Sequence, residues 1–423
     1  MGCCLPSCCW QAAYTRCCWS VCTVSDGPSG RISFHPLDWA TAAAFLVYSS
    51  SVVVTPISLV MLARELGISL TGGGGVEGTR AALLVAALLA SALVAARWGK
   101  PRSVGLSSIV LGFGLLAYAV APGYGVILLA VAFVGAGGGV IEALLNPLVQ
   151  DLHPRDSGRY LNVLNAFFSA GVLTTVLLGG ELLTRGHSWR VIMTIVAVAS
   201  LVTGALFLVL EKRAPFVRSH NVVDVLGHKA EILRHPRFWI FLPMMFLGGG
   251  AEGALTFWSA TYIQLHFGLT PRMGGIGTAC FAAGMVIGRL VSGWLVPQRL
   301  LWYLIFGSAV FGFLVTLTLP FIASIWIFLA ALFCSGLAVA CLWPSIQSYS
   351  IDRTPLESTS LFILLSCGGI PGFGAVSLIM GMIGDRAGLN VSLFVVPILL
   401  ALLAVLALLE RRWRPRHPAV TAA

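Results

Sequence analysis

Twelve stretches of this sequence are apolar for long enough to cross a membrane, and that constrains the fold more than any motif does. A helix needs roughly 20 consecutive apolar residues to span the hydrocarbon core. The stretches lie at 37–62, 80–96, 103–121, 124–150, 158–182, 189–210, 237–263, 274–296, 300–320, 322–347, 358–383 and 390–410, each bounded by charges, prolines or glycines. The composition agrees, with 58% of residues hydrophobic, only 10% charged and a mean hydropathy of +0.92. A soluble domain carries about 25% charged residues, so the chain reads as an all-α integral membrane protein.

Lys and Arg set the orientation, because cytoplasmic loops retain basic residues. With both termini inside, the outer segments hold only Arg64, Arg80, Arg185, Arg190, Arg272 and Arg386, against a large excess within. The net charge of +10 then lies against anionic inner-leaflet lipids and requires no nucleic-acid partner. This predicts a multi-pass protein of a plasma membrane or a bacterial inner membrane, both termini cytoplasmic, working as a monomer.

The longest charged connection falls between the sixth and seventh stretches and divides the chain. The expected organisation is a Cys-rich tail without fixed structure at 1–35, a six-helix bundle at 36–210, a cytoplasmic linker at 211–236, a second six-helix bundle at 237–410 and a basic tail at 411–423. A weak repeat supports two related halves. Gly139, Pro147 and Gln150 match Gly336, Pro344 and Gln347 at one shift, 344 − 147 = 197, which also carries Ser169 and Gly171 onto Ser366 and Gly368. Repeated bundles with Gly- and Pro-interrupted helices mark secondary transporters, whose substrate sites lie near the midplane between repeats.

Within GGGVIEALLNPLVQD, Glu142 interrupts a run otherwise fit for lipid. It sits about 12 Å above the cytoplasmic end of its helix at about 1.5 Å per residue, where a charge costs about 2.5 kcal/mol or more. A carboxyl that is neutral when dry and ionised when water reaches it can carry a proton. Glu252, in FLGGGAEGALTFWSATY, occupies the middle of the seventh stretch, and the shift of 197 places Thr55 opposite it in the first half. The alternative for both glutamates is a protonated side chain that hydrogen-bonds a neighbouring helix. The pathway reading is adopted for Glu142; for Glu252 both stay open.

Around Glu142 stand the amides Asn146, Gln150, Asn162 and Asn165, with Gln347 from the tenth stretch and the aromatics Trp258, Tyr262 and Trp343. Amides with flat aromatic faces suit a hydroxyl-rich neutral solute such as a sugar, and little midplane Arg or Lys is expected to serve an anion. Packing or interface anchoring is the alternative for each aromatic.

These residues carry a resemblance. The stretch GAGGGVIEALLNPLVQDLHPRDSGRYLNVLNAFFSAGVLTTVLLGGELL, starting at residue 135, resembles the fucose permease branch of the major facilitator superfamily. GGGAEGALTFWSATY and GMVIGRLVSGWL are similar to that branch's seventh and eighth helices. The resemblance implies twelve transmembrane helices in two pseudo-symmetric six-helix bundles, alternating access, and proton-coupled symport of a sugar or similar polar solute. It makes Glu142 the protonatable residue of the fourth helix. Thr55 stands where the family has a first-helix aspartate, so coupling runs through Glu142 alone, shifts partly to Glu252, or is absent.

The family's cytoplasmic loop signature is reduced here to ALVAARWGK, keeping Arg97, Gly99 and Lys100, and its second-half counterpart keeps Gly293 and Leu295. Arg97, Arg289 and Gly293 are therefore the gating candidates. Arg289 could pair with an acid in one state or snorkel to the headgroups.

Seven of the eleven cysteines fall in the first 22 residues. On a cytosolic tail they predict no disulfide framework, and their spacing fits no standard zinc pattern. An enzyme is disfavoured, since no HExxH, phosphate loop or intramembrane His occurs, and neither metal nor cofactor is expected. The alternatives within the same fold are a proton-linked exporter of amphipathic compounds and a transport-inactive sensor or scaffold.

Overall fold

The computed structural model describes residues 34–153, 157–211, 231–354 and 358–412, without the side chains of 157–159, 162, 165, 358 and 359. The Cys-rich tail, most of the expected linker and the basic tail beyond 412 lie outside the described residues. Helices Pro36–Leu66, Leu70–Trp98, Lys100–Ala119, Tyr124–Leu152, Ser157–Thr184 and Trp189–Leu210 make the first six spans. Phe238–His266, Pro271–Leu295, Gln298–Phe321, Ile325–Arg353, Ser358–Ala387 and Leu389–Arg412 make the second six. The described residues contain no strand. An even number of spans puts the start of the first and the end of the last on one face, here the terminal face; the other is the far face.

The second helix begins ten residues earlier than the hydropathy pattern predicts, at Leu70. Its opening, LTGGGGVEGTR, reads as a turn because glycine is a poor helix former in water. Within a membrane the backbone must pair with itself, and glycine allows close helix contact. A Cβ on Gly74 would strike the Ser377 carbonyl of the eleventh helix. One expectation is thereby corrected: Arg80 is not in an outer loop but is the eleventh residue of the second helix, beside Glu77.

The tenth span also departs from expectation, running as two helices, Ile325–Val339 and Leu342–Arg353. Pro344 has no N–H to give to the carbonyl four residues before it, which is that of Ala340. The Arg289 Nε of the eighth helix donates to that carbonyl instead, at 3.2 Å. The equivalent Pro147 leaves the fourth helix continuous.

The internal repeat recurs as packing. A Cβ on Gly139 would meet the Leu84 carbonyl, and one on Gly336 the Phe281 carbonyl; the two contacts share one shift, 336 − 139 = 281 − 84 = 197. Between the halves, Gly74 meets the Ser377 carbonyl and Gly180 meets the Pro271 carbonyl, and here 271 − 74 = 377 − 180 = 197. The second helix thus crosses the eleventh as the eighth crosses the fifth. In lipid, where water does not drive helices together, such small-residue crossings take over much of the role of a hydrophobic core.

Candidate substrate and proton site

The fourth helix changes its exposed side halfway along. Toward the far face Leu129 and Phe133 are exposed, 63% and 52%; toward the terminal face Glu142, Asn146 and Gln150 are. From Phe133 to Glu142 the helix makes about two and a half turns at about 3.6 residues per turn, so the second strip points opposite to the first. Leu129 and Phe133 suit lipid. Glu142 is exposed at its own surface yet enclosed by surrounding helices, which makes it part of the wall of an internal cleft. The strip continues to the terminal end of the helix.

Two side chains that the sequence reading missed stand close to Glu142. The Tyr48 hydroxyl of the first helix lies beside its carboxyl, and the Arg80 guanidinium acts on it through space. The GAGGG run explains the proximity, because Gly138 leaves room for the Tyr48 ring and Gly135 lets the fourth helix settle on the Arg80 backbone. Arg80 itself is bound to Glu77, with Nε to Oε2 at 2.9 Å and Nη2 to Oε1 at 2.5 Å. Among the described residues Glu142 is in no salt bridge.

In the second half Glu252 does have an ionic partner. Arg289 Nη2 reaches its Oε1 at 3.1 Å, while Nε of the same guanidinium holds the Ala340 carbonyl at the break in the tenth span. The Arg289 side chain keeps 42% of its surface exposed. Arg80 and Arg289 both lie within spans, and each pairs with a glutamate.

The remaining expected residues divide by environment. Gln347 donates Nε2 to the Ser366 hydroxyl at 3.1 Å, tying the tenth span to the eleventh, and Trp343 packs its ring over Gly369. Trp258 is wholly buried with Nε1 donating to the Ser377 carbonyl at 3.2 Å. Tyr262 is also buried, donating to Asn390 Oδ1 at 2.7 Å and stacked on His266 and Phe328. In this conformation neither ring offers an open face to a solute. Thr55 is buried in the first helix at 7% exposure. Asn162 and Asn165 lie on the fifth helix, with side chains outside the described residues. Arg97 is exposed at the end of the second helix, where Lys100 pairs with Asp151 at 2.5 Å. Gly293 is exposed, with open space where a Cβ would go, so no close contact requires glycine there.

Among the described residues, polar contacts between the halves concentrate at the far face. Asp385, at the end of the eleventh helix, accepts from the first two backbone N–H groups of the second helix, Leu70 at 2.9 Å and Thr71 at 2.8 Å. The Arg272 N–H, at the start of the eighth helix, donates to Thr184 Oγ1 at 2.8 Å, and the Arg272 side chain pairs with Glu181 at 2.5 Å. Each helix start is thus capped by the opposite half, satisfying N–H groups that a helix leaves unpaired. At the terminal face, the pairs Lys100–Asp151, His153–Asp38, Arg353–Glu410 and Gln298–Asp352 each join helices of one half. Among the described residues, then, the polar ties that latch the halves to each other lie at the far face.

The latch makes a prediction. Loss of a capping carboxylate costs about 1 kcal/mol, roughly a fivefold shift in a two-state ratio. Asp385→Ala should therefore raise the alkylation rate of a Val60→Cys variant, whose position is buried beneath the far face, by about that factor. An unchanged rate would show that Asp385 does not hold the face closed.

Comparison with known proteins accords with this geometry. The Major Facilitator Superfamily model matches residues 40–317. The membrane protein MosC of Rhizobium meliloti is 25% identical over 329 residues, spanning 76% of this chain and 77% of that protein. The probable nitrate/nitrite transporter NarK2 of Mycobacterium tuberculosis is 27% identical over 356 residues, 80% of each. Among solved structures, a bacterial homolog of the human lysosomal transporter Spinster superposes with a TM-score of 0.76 at 14% identity, covering 90% of this chain and all of that one. The D-xylose-proton symporter gives 0.71 at 12% identity, over 88% of this chain and 96% of its own. Twelve membrane helices, the repeat in their packing and a family match across more than half the length lead to one conclusion: the chain belongs to the Major Facilitator Superfamily, a family of transporters rather than enzymes.

Proposed function

We propose that this transporter is a proton-coupled symporter of a sugar or a similarly small polar solute, with both termini cytoplasmic and Glu142 carrying the proton. The observation that carries the reading is the position of Glu142 on a cleft wall, deep among the helices, in no salt bridge among the described residues and continuous with the amide strip of Asn146 and Gln150. A carboxyl so placed can exchange a proton with the cleft. The basic residues concentrated on the terminal side support the orientation, which makes the latched far face the outer one. A structural neighbour is named as a xylose-proton symporter and another as a nucleoside transporter, both for hydroxyl-rich solutes.

A second reading, an anionic substrate, is favoured by the exposed guanidinium of Arg289 and by the relative named for nitrate and nitrite. Proteoliposomes separate the two. The expected result is that one neutral sugar or polyol, added outside, carries protons inward with it. Nitrate driving protons where no sugar does would replace the sugar reading with the anionic one. Uptake of any solute with no proton movement would remove symport.

A further inference from the structure

The second helix carries a charge pair that a proton site at Glu142 does not by itself require. Glu77 and Arg80 stand one turn apart with 1% and 9% of their side chains exposed. They lie roughly 10 to 15 Å from the far end of their helix at about 1.5 Å per residue. A buried ion pair seldom stabilises a fold better than a well-packed neutral pair would, so this one calls for another reason.

Its surroundings supply one. On one side the Arg80 guanidinium lies 6.0 Å from the centroid of Phe373, which belongs to the eleventh helix and hence to the other half. The same stretch makes a close crossing between the halves, where Gly74 meets Ser377 and Gly374 meets Gly78 and Ala81. On the other side Arg80 sits against Gly135 of the fourth helix, and Tyr48, packed over Gly138, bridges toward Glu142. Arg80 thus stands between the proton site and the surface on which the halves move past each other.

Among the described residues, the other charged groups on the helices around Glu142 are at helix ends. Lys100 of the third helix and Asp151 of the fourth pair at the terminal face, as do Asp38 of the first and His153, while Glu181 of the fifth is engaged at the far face.

We propose that Arg80, held by Glu77, relays the charge on Glu142 to the contact between the second and eleventh helices and so biases which face of the transporter opens. The role is one of positioning and rests on the reading of Glu142 as the proton site. With Glu142 ionised, the guanidinium is drawn toward two carboxylates at once. With Glu142 protonated, it belongs to Glu77 and the Phe373 ring, and the crossing between the halves tightens.

Spin labels at exposed positions 187 and 386, one in each half, in a background freed of other reactive cysteines, read the opening of the far face as pH is varied. In the wild type the ratio of open to closed should change by up to about tenfold per pH unit across the titration of one coupled proton, and in Glu142→Gln it should not respond. In the uncharged pair Glu77→Gln/Arg80→Gln the response should be lost while proton uptake on substrate binding persists. A double variant that keeps the wild-type response overturns the relay. A response that survives Glu142→Gln overturns the proton-site reading instead, and a wild type indifferent to pH overturns both. Phe373→Leu guards against a double variant that does not fold: it leaves the charges intact, should shrink the response, and counts against the relay if it does not.

Discussion

Glu142→Gln is expected to abolish proton-driven accumulation of solute while leaving exchange of solute across the membrane. Glutamine keeps the length and hydrogen-bonding capacity of the side chain beside Tyr48 and cannot release a proton. A gradient of one pH unit is worth about 1.4 kcal/mol per proton, which supports about tenfold accumulation at one proton per solute. In the variant that ratio should fall to about one at the same gradient. Counterflow, which needs only binding and alternation, should continue. Labelled solute in proteoliposomes measures both, and loss of counterflow together with a lowered melting temperature would make Glu142 a structural residue.

The contrast with Glu252 sharpens this. Glu252 is occupied by Arg289, which also holds the broken tenth span through the Ala340 carbonyl. Removing the Glu252 charge therefore disturbs a structural tie, whereas removing that of Glu142 breaks no ion pair among the described residues. Thr55, where the resembling family carries an acid, is buried against its neighbours. Of the arrangements left open by the sequence, coupling through Glu142 alone fits the geometry best.

Much of the architecture was legible from sequence because lipid enforces it. Backbone groups that cannot reach water must pair within a helix, so length and hydropathy alone mark the spans, and the depth of Glu142 follows from counting residues. The shift of 197 between Gly139 and Gly336 was readable as a repeat and returns as matched contacts at Leu84 and Phe281.

Elsewhere local propensity misled. The glycines before Arg80 signal a turn in water but a close crossing in a membrane, so the Glu77–Arg80 pair was hidden inside an apparent loop. The inter-half caps at Asp385 and Thr184 join residues far apart in the chain, and no local pattern announces them. For Trp258 and Tyr262 the residue type was informative and the direction was not. Both rings turn into the second half, where the Ser377 carbonyl and Asn390 take their polar atoms.

Arg80→Ala should be among the most destabilising single substitutions in the protein, costing about 3 to 5 kcal/mol, because it strands the Glu77 carboxylate in a dry interior. Glu77→Gln strands the guanidinium instead and should cost less, since Glu142 and the Phe373 ring remain within its reach. The double variant with glutamine at both positions keeps hydrogen-bonding partners one turn apart and carries no net desolvated charge, so it should fall closer to the wild type than Arg80→Ala does. Unfolding in mixed detergent micelles gives the ordering directly, and a double variant as unstable as the sum of both singles would mean that the two side chains act independently. If the double variant is stable but its far face no longer answers to pH, the fold has no need of these charges. Their desolvation is then a cost that the helix crossing bears for transport, the sign that separates a relay from a strut.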